Sequence, residues 1–203
     1  LEAYAAYIRR DGWFCSNKRL ARNYIDGLAL TLYLVGNLRR SRGYSYEHTL
    51  VQRFNDAAGG GWHARRLGGS STGLPDIVVV NNAKGIMLTI EAKSGTSDIL
   101  YVPQDQIERC IMVREMFSIY PERHVVFAFK FMSKKRFRRM NKTVYEQRKL
   151  VEYYKIADQL VGVSPLPVVK CTYDGRTYAM LGGKTVELDL PSLTMPFGNG
   201  GTK

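Results

Sequence analysis

Three charged residues stand where apolar ones are expected. Asp76 opens the run Asp76-Ile-Val-Val-Val-Asn81, and Glu91 and Lys93 close the run Ile86-Met-Leu-Thr-Ile-Glu-Ala-Lys93. Both runs are rich in β-branched residues, and Asn82-Ala-Lys-Gly85 between them is turn chemistry, so they read as an antiparallel hairpin. A turn centred between Ala83 and Lys84 pairs residues whose numbers sum to 167. Asp76 then lies opposite Glu91 with Cβ atoms about 4.5–5.5 Å apart on one face, and Lys93, two residues on, shares that face. Carboxylates this close repel each other, and a hard divalent cation relieves the repulsion. Mg²⁺ takes oxygen ligands and keeps several waters, and the Ala92 carbonyl offers one more oxygen. Such an ion polarises a phosphodiester and acidifies a bound water. Lys93 could orient that water or neutralise charge developing on the phosphate. The competing reading is a salt bridge at a sheet edge. The whole constellation depends on register, because a one-residue slip sends the pair to opposite faces.

Other elements must hold this hairpin in place. Residues 18–38 have helical spacing through Leu20, Ile25, Leu28, Leu32 and Val35. Ser45 starts a second helix with Leu50, Val51 and Phe54 on one face, ended by Gly59–Gly61. A strand is expected over Trp62–Leu67, then a loop of small residues, Gly68-Gly-Ser-Ser-Thr-Gly73. Residues 103–119 read as a helix with Ile107, Ile111, Met112 and Phe117 apolar, and Val125–Phe131 as a strand. After the basic stretch 134–142 come a helix near 144–161, strands near 167–173 and 176–181, and a last strand over Thr185–Leu190. That order implies an α/β fold, a mixed central sheet flanked by helices.

The charge is unevenly distributed. The 203 residues carry +12, from 30 Lys and Arg against 18 Asp and Glu. Residues 1–43 carry a net +5 and residues 130–150 a net +8, while the remainder is close to neutral at −1. Clustered cations on a neutral body suit a polyanion, nucleic acid before others, against the plainer reading of a solubilising surface. Apolar residues make up 45%, which argues against wholesale disorder. The longest largely apolar run, Leu28 to Val35, is far short of the roughly 18 residues that span a bilayer, so no membrane partner is expected. Arg9, Arg10 and Asp11 stand where the apolar part of a secretion signal would lie. Cys15, Cys110 and Cys171 have neither disulfide nor zinc spacing, which suits a reducing interior.

Gly-Leu-Pro-Asp76, fourteen intervening residues and Glu91-Ala-Lys93 resemble the PD-(D/E)xK nuclease motif. Glu47 on the preceding helix, the Gly-Gly-Ser-Ser loop, Ile99-Leu-Tyr-Val102 leading into a helix, and the strand Val125–Phe131 narrow the resemblance to archaeal-type Holliday-junction resolvases, over about residues 43–137. The resemblance implies a restriction-endonuclease-like fold and a homodimeric, Mg²⁺-dependent endonuclease that nicks four-way DNA junctions symmetrically, with Mn²⁺ able to substitute. It implies Glu47, Asp76 and Glu91 as acidic site residues, metal-holding together with the Ala92 carbonyl, and Lys93 as the catalytic lysine. Ser70 or Ser71 would be the loop serine, and Arg65 or Arg66 the basic residue before that loop. Gln104 or Gln106 would be the polar residue opening the next helix. His48 departs from the family, which commonly has Arg there; it could still meet phosphate, though mostly neutral at pH 7. The implied organisation is a helical extension over 1–42, a nuclease domain over 43–195 and a flexible Gly-rich tail over 196–203. The implied location is cytoplasmic and nucleoid-associated, in an archaeal or viral source.

Two competing functions keep parts of this reading: a repair- or restriction-type nuclease acting on other DNA structures, and a non-catalytic DNA-binding protein. The carboxylate set speaks against the last, since carboxylates facing phosphate repel DNA unless a cation lies between. Lys134, Lys135 and Arg136 are expected on the DNA backbone, where phosphate contacts dominate affinity. Gln147, Leu150, Tyr153 and Tyr154 fit a sliding-clamp-binding pattern, against the alternative of an ordinary amphipathic helix.

Overall fold

The computed structural model describes residues 44–67, 73–140 and 142–198, all within one compact unit. The expected helix over 18–38 and the loop serines Ser70 and Ser71 lie outside the described residues.

Helix α1 runs over 44–55. Tyr46, Leu50 and Phe54 repeat every four residues and are buried on one face. The strands β1 (Trp62–Arg66), β2 (Ile77–Asn81) and β3 (Ile86–Gly95) follow, then β4 (Ile99–Val102) and helix α2 (Gln104–Met116). After β5 (Glu122–Phe131) come β6 (Lys134–Arg139), β7 (Lys142–Gln147) and β8 (Val151–Ile156), a 3₁₀ turn over Asp158–Leu160, and β9 (Val168–Thr172), β10 (Thr177–Leu181) and β11 (Lys184–Glu187). The central sheet has the order β1-β2-β3-β5-β8. It is mixed, because β3 and β5 are parallel and joined through β4 and α2, while the other pairs are antiparallel. A second sheet, β11-β10-β9-β4, is antiparallel, and β6 pairs only with β7. The expected mixed sheet flanked by helices is therefore the fold found. Among the described residues no helix is long and apolar enough to cross a membrane.

The central sheet separates two cores. Along β5, Val125, Phe127, Phe129 and Phe131 face α2 and the second sheet, while Val126 and Ala128 face α1. Burial on both faces explains why this segment is nearly all apolar. Between β2 and β3 the turn lets the Asn81 side chain accept from the Lys84 N–H at 3.1 Å. Gly85 ends it at φ +67°, where a Cβ would meet the Pro121 ring at 3.0 Å.

Four expectations change. Residues 144–161 form two strands and a 3₁₀ turn, not a helix. In β8, Tyr154 turns into the α1 core and Tyr153 packs on the other core, so both faces are used and no clean alternation announces a strand. The clamp-binding pattern falls with that helix, because Tyr154 is buried and Gln147 lies on another strand. The basic stretch itself forms a hairpin. In α2 the inner face is Ile107, Cys110 and Val113; Met112 and Phe117 are exposed. The final strand is Lys184–Glu187, and Leu190 enters the core beyond it.

A titratable cluster joins β5 to the 3₁₀ turn. Asp158 accepts from the Val125 N–H at 2.8 Å and lies 2.6 Å from His124 Nδ1, and Glu122 is 3.1 Å from His124 Nε2. Burial opposes protonation of His124, but these two carboxylates outweigh it and raise its pKa above the ordinary 6.5. Stability gained from this pairing is fully present below 6.5 and is lost as pH rises through the higher folded value. Thermal melts across that range should show Tm falling with pH, and His124→Gln should flatten this part of the profile. An unchanged profile in the variant would assign the dependence elsewhere.

Candidate active site

The register of β2 on β3 runs from Ile77↔Ile90 to Asn81↔Ile86, every pair summing to 167. Asp76 sits in a bend one residue before β2. It accepts a 2.9 Å hydrogen bond from the Ala92 N–H, next to Glu91 on the facing strand. Glu91 alternates with the core residue Ile90, so it faces α2, and its side chain is only 2% exposed. Lys93 Nζ lies 2.6 Å from Glu91 Oε1. The Glu91 carboxyl is pushed up to about 7, chiefly by burial against the opposing pull of Lys93, with the Asp76 charge adding to the rise.

Glu47 enters from α1, on the other side of the sheet. Burial raises its pKa, the hydrogen bond from Arg66 lowers it, and the charge of Asp76 raises it again. Arg66 Nε donates to Glu47, and the guanidinium lies 4.5 Å over the Tyr44 ring. His48 is exposed and packs its ring 4.5 Å from Tyr44. Glu47, Asp76, Glu91 and Lys93 thus form one electrostatic cluster with Arg66 at its edge. Behind it lies Cys110 of α2, whose thiol pKa is raised by burial and by the charges of Glu91 and Asp76.

The structure separates residues that spacing alone left paired. Arg66 shares a strand face with buried Ala64 and reaches Glu47, whereas Arg65 points to the opposite face and caps the Ala64 carbonyl at 3.1 Å. Gln104 donates its amide to the Leu166 carbonyl in the segment before β9, so that contact, not the cluster, occupies it. Gln106 lies one helical turn before Cys110, and its side-chain oxygen is buried without a hydrogen-bond partner. Lys134 and Arg136 are exposed on β6, and Lys135 is paired with Asp98 at 2.7 Å.

A buried ionic knot that the sequence reading missed fixes α1, the helix carrying Glu47. Glu152 of β8, 1% exposed, binds Arg53 of α1 at 2.6 Å and accepts from the Tyr154 hydroxyl at 2.7 Å. Lys130 of β5 lies 3.3 Å from the other Glu152 oxygen, without hydrogen-bond geometry, and 5.1 Å over the Tyr46 ring. No spacing signal could have exposed it, since its members are up to about a hundred residues apart and come from three elements.

The archaeal Holliday junction resolvase family, Hjc, matches residues 38–164, more than half the chain. The chain belongs to that family. It is a junction-resolving nuclease with the restriction-endonuclease-like mixed sheet. Among solved structures it is similar to the Hjc of Archaeoglobus fulgidus, a Holliday junction resolvase from an archaeal hyperthermophile. The identity is 26%, over 51% of this chain and 85% of that one, with a TM-score of 0.36. A search of curated proteins gave no match.

Nucleases of this family are generally metal-dependent, and the donor set suits a hard cation. Glu47, Asp76, Glu91 and the Ala92 carbonyl offer only oxygen, and the repulsion between Asp76 and Glu91 is what a cation relieves. As arranged, no three Asp, Glu, His or Cys side chains among the described residues converge closely enough to hold an ion. Glu47 is engaged by Arg66 and Glu91 by Lys93, so these two cations occupy the carboxylates of the resolvase.

The knot beneath α1 yields a direct check. Glu152→Ala leaves Arg53 and Lys130 without their shared partner and should lower unfolding free energy by about 3 kcal/mol, measured by urea denaturation. A loss within error of zero would show that the knot does not anchor the helix.

Proposed function

We propose that this resolvase hydrolyses a phosphodiester near the crossing of a four-way DNA junction with the help of Mg²⁺, for which Mn²⁺ can substitute. Glu47, Asp76, Glu91 and the Ala92 carbonyl would hold the ion. Its chemistry there is to polarise the phosphate and acidify a bound water. The observation that carries this reading is the buried Glu91 carboxyl beside Asp76, with Lys93 on it at 2.6 Å. Lys93 is held where its ammonium can pass from Glu91 to an incoming phosphate oxygen and offset charge in the transition state. Asp76 is oriented by the Ala92 N–H, which engages one of its two oxygens.

Arg66 and His48 stand together on Tyr44 and would flank the bound strand. Arg65 and Gln104 are weaker DNA contacts in this reading, given their present partners. A loop serine, Ser70 or Ser71, completes the proposed set. Two copies related by a twofold axis would supply the two sites that symmetric nicking needs. The proposed division is a nuclease domain over 43–195 between an extension over 1–42 and a tail over 196–203. The proposed workplace is the cytoplasm, beside the nucleoid.

The test uses a mobile-core four-way junction, a flap and linear duplex, each with Mg²⁺, Mn²⁺ or EDTA. Paired symmetric nicks confined to the junction, and lost in EDTA, are expected. Losing the metal's several kcal/mol of charge stabilisation, Asp76→Asn should cut slower by about a hundredfold or more while junction affinity holds or rises. Comparable cleavage of linear duplex would replace the reading with a general nuclease, and normal cutting by the variant would sink the metal-site assignment.

A further inference from the structure

The hairpin β6–β7 has two unlike faces. Pairing runs from Lys134↔Gln147 through Arg136↔Tyr145 and Arg138↔Thr143 to Arg139↔Lys142. Alternation therefore puts Lys134, Arg136, Arg138 and Tyr145 on one face and Lys135, Phe137 and Val144 on the other. The second face is partly buried, with Lys135 tied to Asp98. The first face is wholly exposed: none of its three cations makes an ion pair with a described residue, and Tyr145 is 56% exposed. At the tip Met140 is 91% exposed.

The root of the hairpin is fastened to the strand that carries the cluster. The Met132 N–H donates to the Gly95 carbonyl at 2.8 Å and the Arg136 N–H to the Thr96 carbonyl at 3.0 Å, two and three residues past Lys93. Arg148 closes the base by binding Asp98 at 2.7 Å, the Met132 carbonyl at 2.9 Å and the Ser97 carbonyl at 3.0 Å, with its guanidinium 4.4 Å over Tyr173. Six residues per strand at about 3.3 Å each give a ribbon of about 20 Å. That is over half of a DNA helical turn of about 34 Å.

We propose that the outer face of this ribbon, Lys134, Arg136, Arg138 and Tyr145, is a second DNA contact that grips an arm adjoining the one being cut. It thereby favours branched DNA over linear duplex. The proposal rests on the nuclease reading above. Cations on alternate residues stand about 6.6 Å apart, comparable to the step between successive phosphates along one strand. A two-stranded ribbon fits the width of a DNA groove. An exposed tyrosine among cations supplies a stacking surface for a base unpaired at the crossing. An acidic protein partner would be matched by the cations but would leave the tyrosine without a role.

The experiment measures binding of the full chain in EDTA, so that nothing is cut, to a four-way junction and to a linear duplex of one arm pair, across a salt series. The outer-face variant Lys134→Gln, Arg136→Gln, Arg138→Gln should weaken junction binding about tenfold or more and reduce the salt slope by about 2.7, at 0.9 per lost phosphate contact. Linear duplex should lose much less. Lys135→Gln, on the inner face, should stay within about twofold of the unmodified chain on both DNAs, since a paired cation adds little phosphate contact. Tyr145→Ala should cost about fivefold or more on the junction only, and Tyr145→Phe should restore it. Equal losses on both DNAs would reduce the ribbon to a non-selective phosphate contact and overturn the proposal, as would no loss on either. Junction cleavage with no ribbon effect overturns this inference alone. Ribbon-dependent binding in a chain that never cuts overturns the nuclease reading alone.

Discussion

Side chains on a strand alternate, so sliding β2 by one residue along β3 would send Asp76 and Glu91 to opposite faces and dissolve the cluster. The same slip would pull Ile77, Val79 and Ile90 out of the α1 core, where they are fully buried. Packing therefore enforces the register that the chemistry needs. The turn adds to it, with Asn81 capping Lys84 and Gly85 in a left-handed conformation against Pro121. Apolar burial on one side of the hairpin fixes the place of charged groups on the other.

Holding those charges is a conflict of forces. Glu91 is buried almost completely beside a second carboxylate, and its pKa near 7 records the desolvation. Lys93 offsets part of that cost, as Arg66 does for Glu47 at the far edge. The arrangement is poised for exchange: phosphate can compete for the two cations, and an incoming cation can compete for the released carboxylates. Groups shifted this far by burial and specific neighbours are common where proteins do chemistry. The helix that delivers Glu47 is anchored separately by Arg53 and Lys130 on the buried Glu152.

The +12 charge takes on a spatial meaning. The basic stretch is a two-faced ribbon rooted beside Lys93, with one face bound to the body and one left open. Cations that look equivalent along the chain differ in what they can offer: Lys135 and Arg148 are spent on Asp98, while Lys134, Arg136 and Arg138 are not. Alternation along β6 sets Lys135 apart from Lys134, Arg136 and Arg138.

The sequence by itself determined the hairpin, its register, the meeting of Asp76, Glu91 and Lys93 and the helix that brings Glu47, because these rest on short-range periodicity and a fixed spacing; its motifs also carried the resemblance to a nuclease family. The tertiary structure decided the rest. It chose Arg66 over Arg65 by strand face, and it tied Gln104 to Leu166 while leaving Gln106 buried one turn from Cys110. It also turned residues 144–156 from an expected helix into β7 and β8, because Tyr153 and Tyr154 each find an apolar core on opposite faces of the same strand. A strand buried on both faces shows no period of two, and its pairing with β5 is a contact between segments far apart in the chain. Local pattern cannot carry that information, since the favourable burial exists only once both partners are in place.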